Sequence, residues 1–131
     1  MGLNVIDASI SIALIDDADA LHEAAAEIIT ADPSSLVLPA SAYAETMVGA
    51  HRQGHASAVR DTLDGLGIAI AALTEEMAEE AARLRAAFPS LRLGDALVIA
   101  TARILGADQV LTGDRRWAPI WDRVRVVRPE G

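Results

Sequence analysis

Two acidic residues follow short apolar runs that are typical of buried strands. Asp7 ends the run LNVID, and Asp114 follows the run QVLTG. Ligands of open parallel α/β sheets bind beyond the carboxyl ends of the strands, so each acid stands where a sheet would present it to a ligand. An aspartate is also a frequent cap between a strand and a helix, and either residue alone is more often a cap than a catalyst.

Two further acids fall within predicted helices and have apolar neighbours. Glu45 has only small or apolar residues three and four positions away on its own helical face, which predicts that it faces the core and is desolvated. Asp95 is the only acid in an apolar helix predicted over 94–105. An aspartate directly after Gly94 also suits a helix N-cap, so capping and ligand binding are equally good interpretations of Asp95.

These four acids would need a positive partner if they met at one edge of a sheet. Two ionised carboxylates about 4 Å apart repel by roughly 4 kcal/mol at an effective dielectric of about 20. Protonation relieves one site, whereas a hard divalent cation relieves the whole cluster. Mg²⁺ and Mn²⁺ prefer oxygen ligands and often work through a few carboxylates together with water and substrate phosphate. An acidic protein can hold a polyanion in this way.

The elements that must position the acids alternate between strand and helix. Strands are predicted at 3–6, 36–38, 68–73, 108–114 and 123–127. Helices are predicted at 9–15, at 18–31 with Asp17 or Asp19 as the cap, at 41–52, at 55–66, after the capping residue Thr74, and at 94–105. This alternation predicts a three-layer α/β/α domain with a small, mainly parallel sheet covered on both faces. A length of 131 residues predicts a single domain over 1–131.

The residue types that are absent exclude several chemistries. The chain has no cysteine, which excludes disulfides, thiolate nucleophiles and cysteine-ligated metals and suits a cytoplasmic protein. All eleven basic residues are arginine. The lack of lysine disfavours phospho-acceptor, P-loop and Schiff-base chemistry. No leader sequence or apolar run of about 18 residues is present, so a soluble protein without a membrane role is expected.

Charge is distributed unevenly along the chain. The net charge of −8 argues against non-specific binding of nucleic acid, which depends on cations that neutralise phosphates. Positions 115–131, however, carry five arginines and two acids. Arg115 and Arg116 adjoin Asp114, and contact with RNA phosphate and pairing with surface acids are equally good interpretations of them.

Four segments in their order resemble a known family. The stretches VIDAS, AYAETMVG, GDALVIATA and LTGDRRW together resemble the PIN-domain ribonucleases, most closely the VapC-type toxins of bacterial toxin–antitoxin pairs. The resemblance spans residues 4 to about 127. Gly94 departs from the pattern, because proline often precedes the third acid in this family.

The resemblance implies a catalytic quartet and its metal. The quartet would be Asp7, Glu45, Asp95 and Asp114 around Mg²⁺ or Mn²⁺. Asp7, Asp95 and Asp114 would bind the ion, and Glu45 would position or deprotonate the attacking water. The hydroxyls of Ser9 and Thr112 would orient the carboxylates.

Function and partners follow from the same resemblance. The expected activity is metal-dependent endoribonuclease cleavage, with a cognate antitoxin as inhibitor and a homodimer as the assembly. An apolar groove for the antitoxin is expected from the helices at 9–15 and 41–52. Two alternatives stay open at this point: a DNA-directed metal nuclease, since the metal chemistry does not distinguish sugars, and a non-catalytic interaction module with a degenerate site.

Overall fold

A five-stranded sheet forms the centre of the computed structural model, which describes residues 2–129. The strands are β1 (Leu3–Ile6), β2 (Ser35–Pro39), β3 (Ile68–Ala71), β4 (Gln109–Thr112) and β5 (Val124–Val126). The helices are α1 (Ala8–Ile15), α2 (His22–Ala31), α3 (Ala40–Arg52), α4 (Ala56–Gly65), α5 (Glu75–Ala87) and α6 (Leu93–Ile104), with a 3₁₀ turn at Arg115–Trp117. The predicted domain of 1–131 includes Met1, Glu130 and Gly131, which lie outside the described residues.

The strand order positions the ends of β1 and β4 side by side. The order is β3-β2-β1-β4-β5, and every pairing in the described part is parallel. The chain runs outward from β1 to β3 and then returns to the other side of β1, so the direction of winding changes between β1 and β4. Such a switch point leaves a crevice at the carboxyl edge, where α/β proteins bind ligands.

Helices cover both faces of the sheet, which confirms the predicted three-layer α/β/α architecture. Right-handed crossovers place α1 to α4 on one face and α5 and α6 on the other, and α5 packs along α6. The central strands are buried, as the fully enclosed side chains of Val5, Ile6 and Val110 show. No helix within residues 2–129 is long and apolar enough to cross a membrane.

The start of α2 differs from the prediction. The helix begins at His22 rather than near residue 18, and Leu21 at its N-cap position makes no side-chain capping bond. Asp16 and Asp19 instead accept hydrogen bonds from the backbone amides two residues ahead, at 3.0 and 2.8 Å. Such local turns compete with helix formation, so the acidic segment forms a loop and the helix starts after it.

Candidate active site

Asp7 is both a helix cap and a member of the crevice. Its carboxylate accepts a hydrogen bond from the amide of Ile10 at 3.1 Å, which caps α1. The residue is only 6% exposed, and its own amide donates to the carbonyl of Leu111, which continues the β1–β4 pairing beyond the strand end. Capping therefore holds this carboxylate at the switch point.

Two hydroxyls connect Asp7 to the segment that follows β4. Ser9 Oγ donates to Asp7 Oδ1 at 2.5 Å and accepts from the Gly113 amide at 2.9 Å. Thr112 Oγ1 donates to Asp7 Oδ2 at 2.6 Å and accepts from the Asp114 amide at 3.0 Å. Because a backbone amide can only donate, each hydroxyl proton is left to point at the carboxylate. The two hydroxyls thus orient Asp7 and join the ends of β1 and β4.

Asp95 is not the N-cap of its helix. Arg92 occupies that position, and Asp95 lies in the first turn of α6 without a side-chain capping bond. An acid in the first turn is favoured by the helix dipole. The carboxylate of Asp95 is half-buried and faces the same cavity as Asp7. The interpretation of Asp95 as the N-cap of its helix is therefore wrong.

Glu45 is exposed, which corrects the expectation that it faces the core. The buried face of α3 is formed by Ala42, Thr46, Met47 and Ala50, and Glu45 lies at the border of that face. Its carboxylate lies close to the start of α6. A β-carbon added at Gly94 would be 3.2 Å from Glu45 Oε1. Glycine in place of the proline usual at this position leaves space for that carboxylate.

Asp114 is held by an arginine two residues away. The Arg116 guanidinium makes three hydrogen bonds to the two carboxylate oxygens, between 2.7 and 3.2 Å. Asp114 Oδ1 also accepts from the Arg116 amide at 2.9 Å and so caps the 3₁₀ turn. Arg116 therefore pairs with an acid of the site itself. Arg115 is also exposed.

One cavity of about 180 Å³ is lined by all four acids: Asp7, Glu45, Asp95 and Asp114. Ser9 and Trp117 also contribute to its wall. In the arrangement seen, no three acidic or histidine side chains among residues 2–129 lie close enough to hold one ion. The four carboxylates thus meet at one cavity without forming a closed set of ligands, and Asp114 is turned towards Arg116.

Burial and repulsion between carboxylates disfavour the ionised forms of Asp7 and Asp95 in the cavity. Burial raises the pKa of Asp7, hydrogen bonds from Ser9, Thr112 and Ile10 partly offset this, and the negative charge of Asp95 raises it further. Burial also raises the pKa of Asp95, and repulsion by Asp114 adds to it. Hydrogen bonding to Arg116 lowers the pKa of Asp114. The ionised forms of Asp7 and Asp95 are therefore only partly compensated, and a cation in the cavity would stabilise both of them.

The donor set fits a hard divalent cation. A carboxylate offers about four lone-pair positions, and Asp7 uses two on Oδ1 and one on Oδ2 for protein hydrogen bonds. One position on Oδ2 stays free for a ligand. Carboxylate oxygens are the ligands that Mg²⁺ and Mn²⁺ prefer, and the described residues near the cavity contribute no sulfur or imidazole.

Trp117 contacts the site in a way that the sequence did not indicate. Trp117 is buried in the core at 2% exposure. Its indole Nε1, however, is buried without a hydrogen bond of normal geometry. It lies near enough to Asp95 to lower the pKa of that acid, although less than burial raises it. In the sequence, the only indication of this contact is that Trp117 follows Asp114 by three residues.

These features define a parallel α/β/α domain with carboxylates gathered at its switch point. A model of the PIN domain matches residues 5–122, and the chain belongs to the PIN domain family. The family predicted from the four sequence segments is thereby confirmed. No curated protein sequence matches the chain.

Solved structures with the same fold include toxins of toxin–antitoxin systems. A toxin–antitoxin complex from Klebsiella pneumoniae aligns with a TM-score of 0.82 and 23% identity over 97% of this chain and 99% of that one. VapC20 from Mycobacterium tuberculosis, described as a sarcin-ricin loop cleaving toxin, aligns at 0.68 and 19% over 82% and 86%. VapBC2 from Rickettsia felis, bound to a promoter DNA fragment, aligns at 0.75 and 13% over 96% and 99%.

Proposed function

We propose that the chain is a Mg²⁺- or Mn²⁺-dependent endoribonuclease that acts in the cytoplasm as the toxin of a toxin–antitoxin pair. The observation that carries this proposal is the meeting of Asp7, Glu45, Asp95 and Asp114 at one cavity in a PIN domain. Carboxylates in such a crevice suit phosphodiester hydrolysis, because a bound divalent ion acidifies a water and stabilises charge on the phosphate.

Each acid has a distinct task in this proposal. Asp7, Asp95 and Asp114 would hold the ion. Asp7 is already oriented by two hydroxyls, whereas Asp114 must exchange its contact with Arg116 for the ion. Glu45 is exposed at the border of the cavity, where its carboxylate would position the attacking water and accept its proton.

RNA is the proposed substrate because of the family and its toxin members. VapC20 is described as cleaving the sarcin-ricin loop, and the same class of substrate is proposed for this chain. Arg115 is exposed beside Asp114 and makes no salt bridge within residues 2–129, so it is available for phosphate. Arg116 would become available once it leaves Asp114.

A groove next to the acids supports an antitoxin partner. This groove of about 380 Å³ lies between α1, α3 and α4, and Ile12, Ile15 and Val59 line it. It is less apolar than expected, because polar residues also line it: Asp16, Asp17, Thr46, Gln53 and His55. Glu45 lines both this groove and the acidic cavity. A partner segment seated along the helices would therefore reach the acids, and an arginine on it would pair with them. We also propose a homodimer, as the resemblance to VapC-type toxins implies.

Cleavage of total RNA with and without Mg²⁺ or Mn²⁺ tests the activity. Wild-type protein should produce defined 5′ ends only with metal, and Asp7→Asn or Asp95→Asn should reduce cleavage at least a hundredfold while the protein stays folded. Asp61→Asn, an exposed acid on α4, is the matched control and should cleave normally. Near-normal cleavage by either site variant at saturating metal would remove that residue from the mechanism. Single-stranded DNA, tested in parallel, should stay intact.

The pairing of Asp114 with Arg116 favours one alternative, a non-catalytic module whose site has lost its metal. Titration with Mn²⁺ distinguishes the two functions. The nuclease should bind the ion, and Asp95→Asn should bind it at least tenfold more weakly. Equal and negligible binding by both proteins would support the non-catalytic module.

A further inference from the structure

A second groove adjoins the acids, and no residue of α3 lines it. It has a volume of about 800 Å³ and shares Ser9 and Asp114 with the acidic cavity. Its far wall is the segment after β5, which includes Arg128 and Pro129. The amide of Val127 donates to the Thr112 carbonyl at 2.7 Å, so this segment runs directly beside the end of β4. We call this the C-terminal groove.

The C-terminal groove concentrates positive charge in an acidic protein. Arg115, Arg116 and Arg128 all line it, although the chain has a net charge of −8. Arg116 is engaged by Asp114. Arg115 and Arg128 are exposed, and neither forms a salt bridge within residues 2–129. Guanidinium groups with free donors bind phosphate oxygens, often through two parallel hydrogen bonds.

Apolar side chains form the rest of the groove. Leu21, Val126 and Pro129 lie among the arginines. The groove is open along its length, as a site for an extended strand would be. A single strand of nucleic acid presents phosphates and weakly polar base faces along its length, so arginines can contact its phosphates while apolar side chains between them contact its bases. An acidic peptide would satisfy the arginines but offers no regular apolar faces.

We propose that the C-terminal groove binds the single-stranded RNA segment that flanks the cleaved phosphodiester. Arg115 and Arg128 hold its backbone phosphates, and Leu21 and Pro129 pack against a base. The shared Ser9 and Asp114 connect this segment to the acids, so a strand in the groove delivers its next phosphate to the cavity. This inference rests on the proposed nuclease function and adds the path of the substrate.

Binding of a fluorescein-labelled single-stranded RNA in EDTA tests the groove without cleavage. The variants are Arg115→Gln, Arg128→Gln and their combination, and Arg60→Gln on the exposed surface of α4 is the matched control. Each single variant should raise Kd roughly tenfold, as expected for loss of a charge-assisted hydrogen bond. Each should also reduce the slope of log Kd against log salt by about 0.7, the value for one phosphate contact on a single strand. The control should change neither quantity.

The outcomes separate the groove from the nuclease function. In cleavage assays the double variant should raise KM and leave kcat near normal, because both arginines lie outside the acidic quartet. If the double variant binds RNA with normal Kd and salt dependence while the wild type still cleaves, the proposed RNA-binding role of the groove is wrong. The proposed nuclease function is then unaffected. If the double variant binds RNA normally but no longer holds a co-expressed partner protein, the groove is a protein-binding surface, which also overturns the proposal. Loss of metal-dependent cleavage in Asp95→Asn reports on the nuclease alone.

Discussion

At the scale of residues, the carboxylate of Asp7 combines a structural and a chemical role. Three hydrogen bonds fix its orientation, yet burial and the nearby charge of Asp95 disfavour its ionised form. A site of this kind loses stability when it ionises without a cation. The same property makes it a strong ligand for a cation, because binding removes the electrostatic cost.

The stability of the metal-free protein should therefore depend on pH. The pKa values of Asp7 and Asp95 are raised from the ordinary 3.8, so the native state binds more protons than the unfolded state. Their stabilising contribution is complete below that value and is lost as the pH rises through the folded pKa. The pKa values of Asp32 and Asp114 are lowered, so their contributions change only below about 3.8. We expect the free energy of unfolding in EDTA to fall as the pH rises above about 4.

Urea denaturation in EDTA across this pH range measures the effect. Asp7→Asn should show a smaller fall than the wild type, and saturating Mg²⁺ should reduce the fall in the wild type. Asp61→Asn should follow the wild-type curve. Identical pH profiles for the wild type and Asp7→Asn would show that Asp7 does not titrate as inferred here.

Arg116 competes with metal for Asp114. Replacement by glutamine removes the guanidinium that makes three hydrogen bonds to this carboxylate, so the pKa of Asp114 should rise and its oxygens become free for a cation. We expect Arg116→Gln to bind Mn²⁺ more tightly, by roughly two- to fivefold on the scale of surface charge pairs. Isothermal titration calorimetry measures this, with Arg115→Gln as the neighbouring control. Weaker Mn²⁺ binding by Arg116→Gln would show that the arginine positions Asp114 rather than blocks it.

At the scale of elements, the hydroxyl, glycine and acid at the end of β4 and just beyond it have a common structural role. Thr112 and the amides of Gly113 and Asp114 complete the hydrogen bonds around Asp7. Glycine at position 113 allows a close approach, because a β-carbon there would lie 2.6 Å from Leu21 Cδ1 and 3.3 Å from Ser9 Oγ. The close approach of two elements, and not a special backbone conformation, therefore favours this glycine.

Gly113→Ala should destabilise the protein by about 1 kcal/mol, at the low end for overpacking because the end of Leu21 can rotate away. Displacement of Ser9 should also weaken Mn²⁺ binding. Gly65→Ala is the matched control, since nothing lies within 4 Å of a β-carbon there. Placed in the last turn of α4, it should be neutral or stabilising by up to about 1 kcal/mol. Urea unfolding of both variants gives the comparison, and equal stabilities would contradict the close contact at Gly113.

At the scale of the whole molecule, two grooves meet at the acids from different sides. The groove between α1, α3 and α4 shares Glu45 with the cavity, and the C-terminal groove shares Ser9 and Asp114 with it. A partner in the first groove would thus reach the acids without filling the second. Such an arrangement would allow an inhibitor to block catalysis while the substrate path stays separate.

Sedimentation of the isolated chain and of the chain co-expressed with a small neighbouring protein tests the assemblies. We expect a homodimer of the 13.7 kDa chain and a larger complex with the partner. Ile12→Asp should weaken the complex, because Ile12 is exposed in the groove between α1, α3 and α4. Glu23→Gln on α2 should leave the complex unchanged. A monomer that binds no neighbour and cleaves RNA unrestrained would leave a free-standing nuclease.

Much of the architecture was determined by the sequence alone. Apolar runs of four or five residues alternate with helical segments, and this local pattern depends on neighbours along the chain. The strand end at Ile6 and the cap at Thr74 were predictable for that reason, whereas the fourth strand ends at Thr112, two residues before the predicted end at Asp114. The order of four short motifs was enough to identify the PIN domain family.

Only the tertiary structure decided how the acidic side chains are engaged. Glu45 is exposed at the border of the buried face of α3 and lies next to the start of α6, and local periodicity reveals neither fact. Thr112 donates to Asp7 across a separation of 105 residues, and Arg116 turns back to Asp114 within a 3₁₀ turn. Helical and strand periodicity report which face is apolar, whereas charge, hydrogen bonding and exposure at a site depend on groups brought together by the strand order.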